Sequence, residues 1–186
     1  EAGYYAVKLD RYNILAEATA NVHTGMLRFT YPQNENARII MNFSRRIGGK
    51  ADFEEIKIVN ENTIEGKIIC TPKGGGFGHG HGKIFYDFYF TCELSRKPLK
   101  MQFFSNEEMQ SENLQEFSHE DVGLILDYGD SVAEPIILKC GISYTSLEGA
   151  RKNLKAEMTD FDFELQRKKA CDLWEEAFSI VDVEGS

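Results

Sequence analysis

Lys83-Ile84-Phe85-Tyr86-Asp87-Phe88-Tyr89-Phe90-Thr91-Cys92-Glu93-Leu94 alternates without interruption: Ile84, Tyr86, Phe88, Phe90, Cys92 and Leu94 share one side, and Phe85, Asp87, Tyr89, Thr91 and Glu93 share the other. Successive side chains of an extended strand point to opposite faces, so a period of two with one wholly apolar side marks a strand with a buried face. A helix would scatter the same residues around its circumference. The second side is only half polar, which leaves room for a covering element there.

On either side of this stretch the same period recurs. Upstream it runs through Tyr5, Val7 and Leu9; Ile14, Ala16 and Ala18; Leu27, Phe29 and Tyr31; Ala37, Ile39, Met41 and Phe43; and Ile64, Ile68 and Cys70. Downstream come Leu99, Met101 and Phe103; Val122, Leu124, Leu126 and Tyr128; and Ile136, Leu138, Cys140 and Ile142. About ten short strands separated by turn-rich segments predict a mainly β fold, an antiparallel β-sandwich over residues 1–145. A glycine-rich connection, Thr71 to Gly82, and a polar, acidic one, Asn106 to Glu120, are expected at the surface. No internal repeat of fixed period is visible.

After Tyr144 the period becomes helical. Ser146 is placed to cap a helix over residues 147–158 with Ala150, Leu154 and Met158 on one stripe. Asp160 is placed to cap a second, whose apolar face is Ala170, Leu173, Trp174, Ala177, Phe178 and Val181. A small sandwich does not need so bulky a terminal face, so residues 146–186 read as a helical linker that packs on the sheet, on a following domain, or on both.

Composition bounds the function. Hydrophobic residues make up 42% and charged ones 27% of the 186, with 4 Pro, the balance of a folded globular chain. The 30 acidic residues outweigh the 21 basic ones to give a net charge of −9, which repels nucleic-acid phosphates and anionic membranes and argues against either as partner. No apolar run approaches the ~20 residues of a membrane helix. The opening Glu1-Ala2-Gly3-Tyr4-Tyr5 lacks Met and is not a signal peptide, so sequence upstream, including any export signal, is expected. Cys70, Cys92, Cys140 and Cys171 are widely spread, three in strand runs and one on a helix, the pattern of free core thiols rather than of a disulfide framework.

Several stretches resemble the front domain of glycoside hydrolase family 92, the exo-acting α-mannosidases. They are Gly3 to Leu9 (GYYAVKL), Tyr12 to Ala20 (YNILAEATA), Thr24 to Pro32 (TGMLRFTYP) and Ala37-Arg38-Ile39-Ile40. The most specific is Gly141 to Leu154 (GISYTSLEGARKNL), continued by Asp162-Phe163 and Ala170 to Trp174. The resemblance implies a sandwich of the galactose-mutarotase-like, supersandwich type, N-terminally truncated here and joined through its helices to an (α/α)6 catalytic barrel. It implies a bacterial, exported enzyme, periplasmic, cell-surface or secreted, that takes terminal α-mannose from glycans with inversion and with Ca2+. Inverting glycosidases need an acid and a base carboxyl ~6.5–9.5 Å apart. The resemblance implies that both lie on the barrel and that the front domain's His- and Gly-rich sugar motifs precede Glu1, so no catalytic residue is expected in this chain. Its partners would be mannose-containing glycans and its own C-terminal catalytic domain, with no cofactor bound by this part. A free-standing carbohydrate-binding module and a non-catalytic interaction domain are the competing readings.

Within the chain the residues that invite a sugar-binding role are Phe77, His79 and His81, in the glycine-rich connection. The family often carries an aromatic beside the glycine turn at the corresponding place, so the resemblance implies that Phe77 stacks on a sugar or helps to meet the barrel; the two His flanking Gly80 would point the same way in an extended conformation, as two metal-binding imidazoles do. A zinc site needs three or four ligands, and neither His23, His119 nor a Cys pair supplies them by spacing, so no metal is assigned. Gly74-Gly75-Gly76 is not a phosphate cradle, because Lys83 leads into a strand and not into a helix. Phe85 and Tyr89 form either a sugar platform or, the favoured expectation, a packing surface. Trp174 is expected to pack for the same reason of register. Asp87 and Glu93 are not promoted to catalytic roles, and Arg45-Arg46 and Arg151-Lys152 are expected as solvated surface.

Overall fold

The structure is a computed structural model that describes residues 1–33, 35–46, 49–71, 85–130 and 132–180. The first half contains β1 (Tyr4–Leu9), β2 (Ile14–Ala20), β3 (Thr24–Thr30), β4 (Ala37–Asn42), β5 (Arg45–Arg46), β6 (Gly49–Lys50), β7 (Phe53–Asn60) and β8 (Thr63–Cys70). The second contains β9 (Tyr86–Leu94), β10 (Lys100–Ser105), β11 (Glu108–Met109), β12 (Glu116–His119), β13 (Val122–Gly129), β14 (Ile136–Ser143), α1 (Leu147–Glu157) and α2 (Phe163–Phe178).

The strands form an eight-stranded sheet in the order β1-β2-β3-β14-β9-β8-β7-β12 and a four-stranded sheet in the order β11-β10-β13-β4, every pairing antiparallel, while β5 and β6 pair only with each other. The sandwich expected from the alternation is therefore present. Its core lies between the sheets, where Ile56, Ile64, Phe90 and Leu94 of the large sheet meet Ile39, Phe103, Leu124 and Leu126 of the small one. Phe43 stacks on Phe90 with ring centres 5.2 Å apart.

Two features of the strands differ from the sequence reading. The strand β7 and the short β12 inside the acidic connection go beyond the alternation described above; β12 pairs with β7, and its Phe117 tucks against Phe103 at 5.8 Å between ring centres. A single aromatic anchor is too short a signal to show as a period. Conversely Tyr5, Val7 and Leu9, which alternate like core residues, are 66%, 37% and 41% exposed. The small sheet ends at β4, and Tyr5 lines an open apolar groove together with Leu27, Met41 and Trp174.

The helices cover the other face of the large sheet. The Ser146 hydroxyl accepts from Gly149 N–H at 3.0 Å to cap α1, as expected, and Ala150, Leu154 and Met158 are buried. Contact there is close enough to require Gly141 on β14, since a Cβ at that position would lie 2.5 Å from the Ala150 carbonyl oxygen and 2.7 Å from Leu154 Cβ. The second helix is capped by Asp162, which accepts from Leu165 N–H at 2.9 Å, and not by Asp160. Asp160 instead accepts from Asp162 N–H at 3.0 Å and shapes the turn before the helix.

It is the N-terminal part of α2 that docks. Phe163, Gln166 and Ala170 are buried, with Phe163 joining Met26, Leu154 and Met158 in a second small core. Arg28 of β3 stacks over Phe163 at 4.1 Å and reaches Glu17 at 2.6 Å and Glu164 at 2.8 Å. The face expected to be most apolar stays largely open: Leu173 is 44%, Trp174 47% and Phe178 60% exposed, and the two aromatic rings lie 5.3 Å apart. Residues 146–180 thus belong physically to the sandwich at one end and present an unpacked apolar stripe at the other.

Candidate functional site

Phe77, His79 and His81 lie in residues 72–84, outside the described residues. The two ends of that connection are described. On one side Thr71 is fixed by Asp52, whose carboxylate accepts from Thr71 N–H at 2.6 Å and from its hydroxyl at 2.9 Å. On the other side Tyr86 and Phe88 meet Tyr144 edge-on, with ring centres 5.9 and 5.6 Å apart. Phe85 and Tyr144 are both about two-thirds exposed, at 66% and 64%. An aromatic group therefore frames the base of the glycine-rich connection. Tyr144 stands in the sequence as the last residue before the helical period and within the Gly141 to Leu154 stretch, neither of which marks it as part of an aromatic group; β14 simply ends beside the start of β9 and places it there.

Beside α1 the outer face of the large sheet opens into two polar hollows. One, of about 360 Å³, is lined by Glu55, Lys57, Glu65, Lys67, Tyr89 and Leu147 among others. Tyr89 is half-buried against Lys67, its hydroxyl 3.4 Å from Asp87, so it is engaged in packing and not presented as a flat platform. The second hollow, of about 530 Å³, is lined by Glu93, Lys139, Arg151 and Lys155 among others.

Three carboxylates of this face, Glu65, Asp87 and Glu93, are matched to cations. Asp87 meets Lys67 at 2.9 Å, and Glu93 meets Lys139 at 3.0 Å, whose ammonium also donates to the Met158 carbonyl at 3.2 Å. Glu65 is buried in the middle of the sheet and is held by Arg151 through two bonds of 2.7 and 2.6 Å, with the Thr91 hydroxyl adding a third at 3.1 Å. Arg151 is thereby not the solvated residue its sequence suggests. A carboxylate removed from water needs a counter-charge, and Arg151 on the facing turn of α1 supplies it in bidentate form; Lys152, one residue on, does remain in solvent at 75% exposure.

These environments bear on proton transfer. A general acid must be protonated near neutral pH, which requires a raised pKa. Hydrogen bonds from Arg151 hold the Glu65 carboxyl below its ordinary value, and those from Arg28 do the same to Glu17. Glu54 moves the other way, raised by burial, but it lies fully buried at the start of β7, with one oxygen accepting from Val122 N–H at 2.8 Å and the other without a partner. No sugar reaches it there.

Among the described residues the thiols and the imidazoles of His23 and His119 are also committed to structure. All four cysteines are free; Cys92 sits directly across from Cys140 in the sheet, and the hydrogen bond between them together with burial pushes the Cys92 thiol well up, away from the nucleophilic thiolate. His23 Nδ1 lies 2.8 Å from Glu157, and His119 Nδ1 lies 3.0 Å from the Ser105 hydroxyl with its ring stacked beside Phe117. Among the described residues no three His, Cys, Asp or Glu side chains converge to hold a metal ion.

Residues 1–143 match the family model described as the glycosyl hydrolase family 92 N-terminal domain. The chain belongs to that family. Among solved structures it is similar to the family GH92 α-mannosidase BT3965 from Bacteroides thetaiotaomicron, at 27% identity and a TM-score of 0.84 over 99% of this chain. The same enzyme in complex with mannoimidazole aligns at 26% identity and a TM-score of 0.83. The inverting GH92 mannosidase BT2199 of that organism shares the fold at 17% identity, with a TM-score of 0.80 over 98% of this chain. The alignment covers 24% of the BT3965 chain and 23% of the BT2199 chain, so the family 92 domain seen here spans about a quarter of the length of these relatives. No curated protein matches the chain.

Proposed function

We propose that this family 92 domain is the non-catalytic front part of an exo-acting, inverting, Ca2+-dependent α-mannosidase, giving shape to one side of a sugar cleft while acid and base carboxyls come from a separate catalytic domain. The observation that carries the reading is the pairing of four acids of the large sheet: Glu17, Glu65, Asp87 and Glu93 are each bound to a cation, and Glu54, whose carboxyl is raised by burial, is closed off between the sheets. The family match and the quarter-length coverage of α-mannosidase chains support it. The aromatic group at the base of the glycine-rich connection, together with Phe77, His79 and His81 within it, is the part of this chain that would meet a mannose-containing glycan. Export to the periplasm, the cell surface or the medium is proposed with it, because glycans large enough to offer many mannose termini are met outside the cytoplasmic membrane.

The test is hydrolysis of an α-1,2-mannobiose with added Ca2+, by residues 1–186 and by the protein as its gene encodes it. Turnover by the encoded protein and none by residues 1–186 is expected. Comparable turnover by both would place the reacting groups in this chain and overturn the reading.

A second reading, a free-standing carbohydrate-binding module, is favoured by the exposure of Phe85 and Tyr144. It requires heat of binding when residues 1–186 are titrated with a mannose-rich glycan.

A further inference from the structure

Cys92 of β9 and Cys140 of β14 are both free and stand opposite each other in the large sheet. The hydrogen bonds around them decide what kind of pair they form. Ser95 N–H donates to the Ile137 carbonyl across the β9–β14 ladder at 2.9 Å, while Ile142 N–H donates to the His23 carbonyl on the β3 side at 2.9 Å and Leu94 N–H to the Asn62 carbonyl on the β8 side at 2.8 Å. Alternation along the strands therefore turns the backbone groups of Cys140 towards β3 and those of Cys92 towards β8. The two cysteines are a non-hydrogen-bonded pair, the type whose Cα atoms lie ~4.5 Å apart and whose side chains approach most closely. That separation falls within the ~4.4–6.8 Å that a disulfide spans.

The two sulfurs differ in access. Cys92 is 2% exposed, whereas Cys140 is half-buried. Both line an apolar groove of about 650 Å³ that Leu27 and Met41 also border. Across β3 from Cys140 stands Gly25, where a Cβ would meet nothing closer than the Thr19 carbonyl oxygen at 3.8 Å, so the space beside Cys140 is open on that side. The other two thiols are placed differently: Cys70 lies opposite Tyr86, and Cys171 of α2 donates to the Ala2 carbonyl at 3.2 Å.

We propose that Cys92 and Cys140 are a dithiol that closes into a cross-strand disulfide on reaction with a small-molecule disulfide, fastening β9 to β14 at mid-strand. Cys140 gives up its proton to solvent, its thiolate attacks one sulfur of the oxidant, and the oxidant's S–S bond breaks to release a first thiolate. Cys92 then loses its proton and attacks the Cys140 sulfur, expelling the second. The protein thiols are oxidised, the external disulfide is reduced to a pair of thiols, and these carry the protons away. Cys140 leads because the hydrogen bond with Cys140, and burial after it, keep the Cys92 thiol protonated. The closed bond secures the strands that carry the aromatic frame, since β9 starts at Tyr86 and β14 ends beside Tyr144.

The protein as its gene encodes it, purified under reductant and then held folded at neutral pH with oxidised glutathione, tests this by mass spectrometry after alkylation in urea and digestion without reduction. Peptides joined through Cys92 and Cys140, lighter than the reduced pair by two hydrogens, are expected, with Cys70 and Cys171 alkylated. Cys92→Ser is expected to stop at a single glutathione adduct on Cys140, and Cys140→Ser to take up none at Cys92. Alkylation of both Cys92 and Cys140, a glutathione adduct that persists on Cys140 while Cys92 is present, or linkage of either to another cysteine overturns the proposal. Joining that occurs only when the oxidant is added in urea overturns it too, because the strands then no longer choose the partners. The mannosidase reading stands apart from this result, since turnover tests it and the state of the thiols does not.

Discussion

Arg151 and Glu65, 86 residues apart in the chain, meet through two parallel hydrogen bonds of 2.7 and 2.6 Å that tie α1 to the middle of the large sheet. The pair explains why an ion pair stands on a face that the strand pattern marks as polar. Glu65 is nearly inaccessible while the Arg151 side chain is half-exposed, so the carboxylate depends on the guanidinium more than the reverse.

Arg151→Ala is accordingly expected to lower stability by about 1–2 kcal/mol, in the range of hydrogen bonds to charged groups and discounted for the exposure of Arg151. Because the native Glu65 carboxyl is held below its unfolded value, this contribution is present above about pH 4.5 and is lost as pH falls through the lower, native value. Urea titrations of both proteins at pH 7 and pH 3 check it, with a gap at pH 7 that narrows in acid.

Much of the fold was readable from the chain because burial follows the pleat. The run around Leu124 buries the whole side that its alternation nominates, and those around Phe90 and Ile136 bury Phe90, Cys92, Leu94, Ile136 and Leu138 of theirs. The exceptions share a cause: a period tells which residues share a face, and says nothing of what covers it. Tyr5, Val7 and Leu9 have the pattern of core residues without the cover, and Glu17 and Thr19 have the pattern of surface residues yet are buried beneath α2. The Arg151–Glu65 pair and the Tyr144 cluster join distant segments, which local periodicity cannot register. Of the residues picked out for sugar contact, Phe77, His79 and His81 fall outside the described residues, and only the frame around them is visible.

Glu54 gives a pH effect of opposite sign. Its carboxyl is raised first by burial and then by the neighbouring Asp121 and Glu120 charges, against the Val122 N–H that favours the ionised form. A raised acid binds its proton more tightly in the folded state, so its cost to stability is nil below about pH 4.5 and grows as pH rises towards the native value. Glu54→Gln keeps an acceptor for Val122 N–H and removes the charge. It is expected to match the parent at pH 4 and to exceed it by about 1 kcal/mol at pH 7, measured as thermal midpoints across that range.

At Gly141 the constraint is steric. Gly141→Ala would press a methyl group into the Ala150 carbonyl and the Leu154 backbone, atoms that move only if α1 moves. A loss of about 1–3 kcal/mol is expected, typical of overpacking, with a matching fall in the denaturation midpoint; an unchanged midpoint would show that α1 does not sit on β14 this closely.

Trp174, the chain's single tryptophan, reports on the open end of α2. In residues 1–186 its emission is expected at the long wavelength of a half-exposed indole and to be quenched by acrylamide. In the protein as its gene encodes it, the proposed following domain would cover the Trp174–Phe178 stripe, so a shift to shorter wavelength and weaker quenching are expected there. Identical spectra in both would mean that the stripe stays in water.

The decisive measurement is kcat on an α-1,2-mannobiose of the protein as its gene encodes it, after Asp87→Asn and, separately, Glu93→Gln, two acids on the outer face of the large sheet. Each variant is expected to stay within about threefold of the parent, because both carboxylates are already matched to lysines and take no part in proton transfer. A fall of about 10²-fold or more in a folded variant, the loss usual for a missing general acid or base, would put the chemistry in the sandwich and contradict the division of labour proposed for it.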